Sequence, residues 1–387
     1  MKTQNNVRSR YNLFLLVLTL VLSACIHSTP DLPTPIPVTP TSEPGSETGW
    51  LDIYFTNPAA PHAADYEGGP DETLAAVIDQ ARLSVDVAAY SLNLWSIRDA
   101  LISAHQRGAV VRMVMESDNM DNQEIQQILD AGIPIIGDQR EGLMHNKFVV
   151  IDRAEVWTGS MNFTTSGAYK DNNNLIRIRS AQVAYDYTTE FNEMFVENLF
   201  GTDTGAATPN PSLTINGTPV EITFSPDDGV AAQLLSLIQG AQKSIYFMAY
   251  SFTANDLGDV IIQRAADGLT VAGVMDDGQI NSNQGTEYDP FMQAGLDVRR
   301  DGNAGLMHHK VIIIDRSIVI TGSYNFSASA EMSNDENVVI IHNADVAEQY
   351  LAEFQRVYNQ AQPRLVQATE HRPYFVTPKI LLSFFVS

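Results

Sequence analysis

Two histidine–lysine pairs recur in this chain at the same spacing. GLMHNKFVVID covers residues 142–152 and GLMHHKVIIID covers residues 305–315, so that His145 precedes Lys147 by two residues, as His308 precedes Lys310. Side chains at i and i+2 point to the same face of a β-strand. Each pair therefore places an imidazole, which exchanges protons near neutral pH, beside an ammonium group. The pattern predicts nucleophilic and acid–base chemistry on an anionic group.

Polar residues follow each pair at matching distances. GSMN covers residues 159–162 and GSYN covers residues 322–325. Hydroxyl, amide and exposed backbone N–H groups beside a lysine form an anion-binding set. The predicted phosphate-binding residues are Ser160, Asn162, Ser323 and Asn325.

An aspartate closes each motif. Asp152 and Asp315 lie seven residues after the histidines, an odd separation that turns them to the opposite face of a regular strand. That spacing favours a structural role, such as binding the N–H groups of a turn, although both aspartates are counted with the candidate catalytic residues as members of the repeated motif. His309 is likewise predicted to point away from His308.

The motifs belong to two copies of a longer unit. Residues 142–163 align with residues 305–326 without a gap, and 14 of the 22 positions are identical. Weaker similarity continues on both sides. In each copy, apolar β-branched runs alternate with helical periodicity, which predicts an α/β fold of two tandem α/β/α repeats. The predicted repeats span residues 50–208 and 212–362.

One motif alone would be half a site. A lone histidine on an apolar strand is usually a core residue, and only the doubled set makes that explanation improbable. Two similar repeats can face each other across a pseudo-two-fold axis, with two imidazoles and two lysines around one phosphate. One histidine would attack phosphorus and the other would protonate the departing alcohol. The lysines and asparagines would stabilise charge in place of a metal ion, so no cofactor is expected.

With both HxKxxxxD motifs and both GSxNF segments in view, the chain resembles the phospholipase D superfamily. The resemblance covers about residues 50–360 and implies that the two repeats share one active site. It implies that His145 is the nucleophile and His308 the acid and base. It also implies that a carboxylate after each motif orients the opposite histidine. Glu336 holds that position in the second repeat, but Asn173 replaces the carboxylate in the first.

The resemblance leaves the substrate open. We expect hydrolysis of phospholipids through a covalent phosphohistidine, with headgroup exchange when an alcohol replaces water. The alternatives are a nuclease of the same superfamily and a catalytically silent surface binding protein. A formal net charge of −23 is unfavourable for binding a long polyanion, so nucleic acid is the less favoured substrate. The same repulsion favours zwitterionic over anionic headgroups, and the oligomeric state is not predicted.

The N-terminal residues predict export. Residues 1–24 contain three basic residues, then an apolar run, then small residues, which is the order of a secretory signal peptide. The last of them, with Cys25, read LSAC and resemble the lipobox of bacterial lipoproteins. Cys25, the only cysteine, is therefore the predicted lipid-attachment site on the outer face of a bacterial membrane. Residues 25–49 are rich in Pro, Thr and Ser and form the predicted tether, whereas residues 363–387 have no predicted role.

Overall fold

The computed structural model describes residues 49–203, 205 and 208–361. The predicted signal peptide, Cys25, nearly all of the predicted tether and the tail 363–387 lie outside these residues. The described residues between 49 and 361 belong to one compact unit, which holds the sheets of both predicted repeats. Among the described residues, no helix has the length and apolar character needed to cross a membrane.

The first repeat forms a seven-stranded sheet. Its strands are β1 (Leu51–Phe55), β2 (Ser84–Ala89), β3 (Val110–Met115), β4 (Ile135–Gly137), β5 (Lys147–Ile151), β6 (Glu155–Gly159) and β7 (Asn174–Arg179). Their order is β1-β7-β6-β5-β2-β3-β4. The pairs β2–β3 and β3–β4 are parallel and the other pairs are antiparallel. Every residue of β2 and β5 is buried, which agrees with the continuous apolar runs expected of a covered sheet.

The second repeat builds its sheet in the same order. Its strands are β8 (Ser212–Ile215), β9 (Thr218–Ser225), β10 (Ser244–Ala249), β11 (Thr270–Met275), β12 (Asp297–Arg300), β13 (Lys310–Ile314), β14 (Ile318–Gly322) and β15 (Glu336–His342). Their order is β12-β11-β10-β13-β14-β15-β9-β8. Strand β8 is an extra edge strand, added by a hairpin to β9. The matching sheets confirm the predicted α/β fold of two tandem repeats.

Helices connect the strands in both repeats. In the first repeat they are α1 (Pro70–Ile78), α2 (Trp95–Gln106), α3 (Gln123–Asp130), α4 (Thr165–Tyr169) and α5 (Ala181–Phe195). In the second repeat they are α6 (Val230–Gly240), α7 (Asn255–Ala266), α8 (Asp277–Ser282), α9 (Tyr288–Gln293), α10 (Ala328–Met332) and α11 (Ala344–Gln360). The short helices α4 and α10 start at capping hydroxyls, of Thr164 and Ser327, which satisfy N–H groups of the first turn.

A shared hydrophobic core joins the repeats. Tyr187 and Phe191 of α5 lie in one buried cluster with Tyr350 and Phe354 of α11 and with residues of both sheets. The ring of Tyr187 also packs against Phe224 of β9, with 5.0 Å between ring centroids. Burying one large apolar side chain stabilises a fold by about 1.5–3 kcal/mol. The common core therefore holds the repeats in a fixed relation, as a site made from both of them requires.

Candidate active site

The two motif histidines lie where the repeats meet. The segments that carry His145 and His308 lead directly into β5 and β13. The backbone N–H of His145 donates to the carbonyl oxygen of Asp335 at 3.0 Å, and that of His308 donates to the carbonyl oxygen of Asn172 at 2.9 Å. Each motif is therefore held by the segment that precedes the last strand of the other repeat.

The glycine that opens each motif permits this close approach. A Cβ atom on Gly305 would overlap the carbonyl oxygen of Lys170, and a Cβ atom on Gly142 would overlap the carbonyl oxygen of Ser333. Both oxygens belong to the opposite repeat. Only glycine fits at these two places without displacing backbone.

A side chain from the opposite repeat orients each imidazole. Nδ1 of His145 lies 2.8 Å from each carboxylate oxygen of Glu336. Nδ1 of His308 lies 2.9 Å from Oδ1 of Asn173 and 3.1 Å from the carbonyl oxygen of Ser160. An acceptor at Nδ1 keeps the ring proton there and leaves Nε2 for chemistry. Glu336 thus stands where the resemblance implied. The sequence left the partner of His308 open, and Asn173 takes that place.

Lys147 and Lys310 are buried beside the histidines. Nζ of Lys147 donates to the carbonyl oxygen of His145 at 2.6 Å, and Nζ of Lys310 donates to that of His308 at 2.9 Å. Burial lowers the pKa of Lys147 to about 7. Burial, together with the charge of Lys147, lowers the pKa of Lys310 well below its ordinary value. A bound anion would favour the protonated lysines, so the site is built to receive negative charge.

The same environment acts on the imidazoles. Burial, and then the charges of the two lysines, lower the pKa of His145 and His308 well below 6.5. Burial raises the pKa of Glu336 to about 7, and the lysine charges oppose that rise. Burial and the lysine charges therefore favour the neutral form of both imidazoles in the free protein. An incoming anion would favour proton uptake by an imidazole.

Two tyrosines, Tyr90 and Tyr250, flank the site, and neither is among the predicted site residues. The ring of Tyr90 packs edge-on against His145 with 4.9 Å between centroids, and the ring of Tyr250 is tilted against His308 at 4.6 Å. Nζ of Lys147 lies 5.2 Å from the centre of the Tyr90 ring, and Nζ of Lys310 lies 4.7 Å from the centre of the Tyr250 ring. A signal was present, because the triplet AYS recurs at residues 89–91 and 249–251.

The predicted phosphate-binding serines have a different task. Oγ of Ser160 donates to Oδ1 of Asn173 at 2.9 Å. The hydroxyl of Ser323 hydrogen-bonds to Glu336 and accepts from a backbone N–H at 2.9 Å. Both serines are fully buried and offer no free donor to a phosphate. The prediction for these two residues is therefore corrected, because each hydroxyl supports the side chain that orients a histidine.

Asn162 and Asn325 stay predicted phosphate ligands. Both are half-buried, and within the described residues their side-chain oxygens have no hydrogen-bond partner. The two amides follow β6 and β14, the strands next to those that carry the lysines. The fold therefore does not use these two side-chain oxygens. Each amide also carries N–H donors, which are the groups that a phosphate oxygen accepts from.

The aspartates that close the motifs lie at the far ends of the strands. Each follows a five-residue strand, which puts about 17 Å between it and the motif lysine. The Asp152 carboxylate accepts from the backbone N–H groups of Arg82, Leu83 and Ser84. The Asp315 carboxylate accepts from those of Gln242, Lys243 and Ser244. Counting them as catalytic was wrong, and they have the structural role that their odd spacing indicated.

His309 belongs to a buried ion-pair network. Its Nε2 lies 3.1 Å from Oε1 of Glu353 on α11, and Nε of Arg356 donates to the same carboxylate at 2.7 Å. His309 is completely buried. The side chain therefore points away from the site, into the space between β13 and α11.

The first repeat replaces this network with acidic residues. The residues equivalent to His309, Glu353 and Arg356, each 163 positions earlier, are Asn146, Glu190 and Glu193. A glutamate therefore takes the place of Arg356 in the first repeat. Asn146 contacts Glu190 at 3.5 Å. Glu190 and Glu193 line a cavity of about 10 Å³ with three further carboxylates, room for a single water molecule. Those three carboxylates belong to Asp186, Asp227 and Asp228.

The residues that meet at the junction supply a complete set of groups for attack on phosphorus. Two Nε2 atoms can serve as nucleophile and proton donor, and two ammonium groups can balance the charge of the phosphate oxygens. In the part of the chain that the structure describes, no group of three or more His, Cys, Asp or Glu residues is arranged to hold a metal ion.

Comparison with known proteins agrees with this arrangement. A family model described as "Cardiolipin synthase, PLD-like domain" matches residues 74–195 and 234–358. Phospholipase D of Rickettsia prowazekii is 36% identical over 132 residues, which cover 34% of this chain and 64% of that protein. Mitochondrial cardiolipin hydrolase of Xenopus tropicalis is 30% identical over 136 residues, covering 35% of this chain and 64% of that protein. The chain thus spans less than two thirds of these curated relatives.

A solved structure extends the similarity over both repeats. Phosphatidylserine synthase of Haemophilus influenzae superposes with a TM-score of 0.61 at 13% identity, over 81% of this chain and 87% of that one. At this identity the likeness concerns the fold alone.

Proposed function

Because the chain belongs to the phospholipase D superfamily, whose family model matches more than half of it, we propose that it is a metal-independent phosphodiesterase that hydrolyses phospholipids. One observation carries the proposal. His145 and His308, each oriented by the opposite repeat, meet with Lys147 and Lys310 at one buried junction. This is the set of groups that attack on a phosphodiester and protonation of its leaving group require.

The first step forms a covalent intermediate. Nε2 of His145 attacks phosphorus, and the bond between phosphorus and the leaving alcohol oxygen breaks. Protonated His308 gives the proton on its Nε2 to that oxygen, so the alcohol leaves neutral and His308 becomes neutral. Lys147 and Lys310 stabilise the negative charge on the non-bridging oxygens.

The second step releases the product. Nε2 of His308 takes a proton from water, and the water oxygen bonds to phosphorus. The bond between phosphorus and His145 then breaks, which leaves a phosphomonoester and returns both histidines to their starting forms. A primary alcohol in place of water would give headgroup exchange.

Charge supports a phospholipid substrate over nucleic acid. The formal net charge is −23, and removal of the three basic residues of the predicted leader would make it −26. Binding of DNA depends on many basic contacts that release counterions, and such a charge is unfavourable for that. The relatives called phospholipase D and cardiolipin hydrolase point in the same direction. Zwitterionic headgroups suit this charge better than anionic ones.

A lipid anchor would bring the site to its substrate. We propose that acylation of Cys25 holds the exported protein on the outer face of a bacterial membrane, with residues 25–49 as the tether. Tethering raises the effective concentration of nearby headgroups. The lipobox resemblance at Cys25 supports this part of the proposal.

The function is tested by one side-by-side assay. Purified protein would be given mixed micelles of zwitterionic and anionic phospholipids, single-stranded DNA and double-stranded DNA, at low and physiological salt. We expect phosphatidic acid and free headgroup from the zwitterionic lipid, and loss of that activity in His145→Ala and His308→Ala, because the nucleophile and the acid act as a unit. Rapid DNA cleavage without phosphatidic acid would favour the nuclease. No turnover of any substrate would favour the silent binding protein.

A further inference from the structure

The two histidines are oriented by chemically different partners. His145 faces the carboxylate of Glu336, whereas His308 faces the neutral amide of Asn173. Glu336 and Asn173 occupy equivalent positions, 163 residues apart. Each is supported by an equivalent serine hydroxyl, of Ser323 and Ser160. The two imidazoles are therefore oriented by equivalent side chains that differ in charge, and Nδ1 of His308 has the carbonyl oxygen of Ser160 as a second acceptor.

We propose that this difference fixes the roles of the histidines and the kind of alcohol that leaves. Glu336 stabilises the positive charge that His145 carries while it is bonded to phosphorus. Asn173 is a positioning residue that orients His308 without stabilising its cation, so that His308 releases its proton readily to an unactivated alkyl alcohol. This inference rests on the proposed function and adds to it the basis for the asymmetry.

The chemistry of the two steps gives the reason. The ring of His145 keeps its positive charge for the whole life of the covalent intermediate, and a carboxylate at 2.8 Å from Nδ1 lowers the free energy of that state. His308 is a cation only until it donates its proton. An amide oxygen accepts the Nδ1 proton as a carboxylate does, but hydrogen bonds to charged partners are about twice as strong. His308 is therefore held in place as the stronger acid.

An alkyl leaving group needs such an acid. An alkoxide is a strong base, so it departs only as it is protonated. A nitrophenolate leaves without a proton. The strength of the acid therefore affects esters of alkyl alcohols and barely affects activated aryl esters, which provides a readout that a purely structural role of Asn173 would not give.

The titration of His308 depends on several charged groups around it. Those acting on it directly are Lys310 of its own motif and Lys147 and His145 of the other repeat. Glu336, Asp171 and Asp276 act on Lys310. Asn173→Asp leaves all of these groups unchanged, and Glu336→Gln changes only Glu336.

The experiment uses the full-length protein and two substrates. One is phosphatidylcholine and the other is an aryl diester with a nitrophenolate leaving group. In Asn173→Asp we expect the basic limb of the kcat/KM profile for phosphatidylcholine to move up by about one pH unit, because a carboxylate holds the proton on His308 more tightly. At the low-pH plateau, turnover of phosphatidylcholine should fall relative to the aryl diester, by up to about tenfold.

Glu336→Gln is the matched control, because it places an amide beside both imidazoles, whereas Asn173→Asp places a carboxylate beside both. It should slow both substrates to the same degree, since formation of the bond to His145 is common to them. Equal effects of Asn173→Asp on the two substrates, or an unmoved basic limb, would overturn the inference.

A second measurement needs neither turnover nor a variant. NMR titration of isotope-labelled histidines in the wild-type protein should show both Nδ1 atoms protonated and His308 taking up its second proton at lower pH than His145. The reverse order would overturn the inference even if Asn173→Asp fails to fold. Absence of turnover with the expected order of titration would reject the proposed function and leave the asymmetry standing.

Discussion

Replacing Glu193 with arginine should stabilise the protein at neutral and basic pH. The equivalent residue, Arg356, donates to Glu353 at 2.7 Å and completes a buried network with His309. In the first repeat, Glu190 has the place of Glu353, but Glu193 repels it. A guanidinium at position 193 would supply a hydrogen bond between charged groups, which contributes about 1.5–3 kcal/mol. Because residue 193 is partly exposed, solvent weakens this interaction. We therefore expect the free energy of unfolding to rise by about 2 kcal/mol, in the lower part of that range.

The gain should depend on pH in a definite direction. Burial is the main reason that the pKa of Glu193 is raised to about 7, that of Asp186 to about 6 and that of Glu190 well above 4.5. In the unfolded state the pKa values of these carboxyl groups are about 4. At a pH between those pKa values and the raised pKa values of the folded state, the folded state binds more protons than the unfolded state. The free energy of unfolding of the wild type therefore falls as pH rises through this range. Glu193→Arg should gain most at pH 8 and least near pH 5.

Chemical denaturation at pH 5 and pH 8 measures both effects, and a thermal scan should show a rise of about 4 °C in the melting temperature at pH 8. Glu193→Gln is the matched control, because it removes the repulsion without adding a guanidinium, and it should give a smaller gain. Arg356→Glu, the mirror change, should lower the free energy of unfolding by about 3–5 kcal/mol. If Glu193→Arg brought the same gain at both pH values, or none, the comparison between the repeats would be refuted.

The remaining predictions concern the motif aspartates, His309, metal ions and the anchor. Asp152→Asn should lower the free energy of unfolding by about 1–3 kcal/mol without changing kcat, whereas a large loss of kcat in folded protein would return it to the catalytic set. For Asp315, burial would raise the pKa, but backbone N–H groups outweigh it and lower the pKa, so its contribution to stability should be lost as pH falls through that lowered value in acid denaturation. His309→Ala should destabilise the protein by about 3–5 kcal/mol yet keep its turnover per folded molecule. EDTA should leave turnover intact, and inhibition reversed by added divalent metal would contradict the mechanism. Wild type should fractionate with membranes and Cys25→Ser should not, so unmodified mature protein in the medium would contradict the anchor.

The doubled motif was enough to predict most of the fold. Fixed spacing on a strand placed His145 beside Lys147, and the same periodicity correctly turned His309 away. The five-residue helices α4 and α10 were missed because so short a helix has no apolar period to detect. The hairpin strand β8 was missed because residues 201–211, which precede it, are rich in Gly, Pro and Thr, and the start of the strand resembles them in composition.

The partners of each side chain were harder to predict. Ser160 and Ser323 have the composition of a phosphate site, but their hydroxyls are used by Asn173 and Glu336. Nothing in local periodicity says which of two nearby acceptors a buried hydroxyl will choose. Asn173 was seen as a departure from the family pattern, and only the contact with His308 shows that an amide serves in place of the carboxylate. The acidic cavity around Glu190 likewise depends on contacts between residues far apart in the sequence.

The exchange of partners between repeats also has a consequence for how the protein is made. His145 and Glu336 are 191 residues apart, and the first repeat leaves the ribosome, or enters an export channel, long before residue 336 exists. N-terminal segments fold first during synthesis, but in this chain the earlier motif then has no acceptor for its Nδ1 proton. The nascent chain therefore cannot attack a phosphodiester until its last sheet strand has been made and docked. Activity therefore requires that the second half is complete and that both halves have folded together.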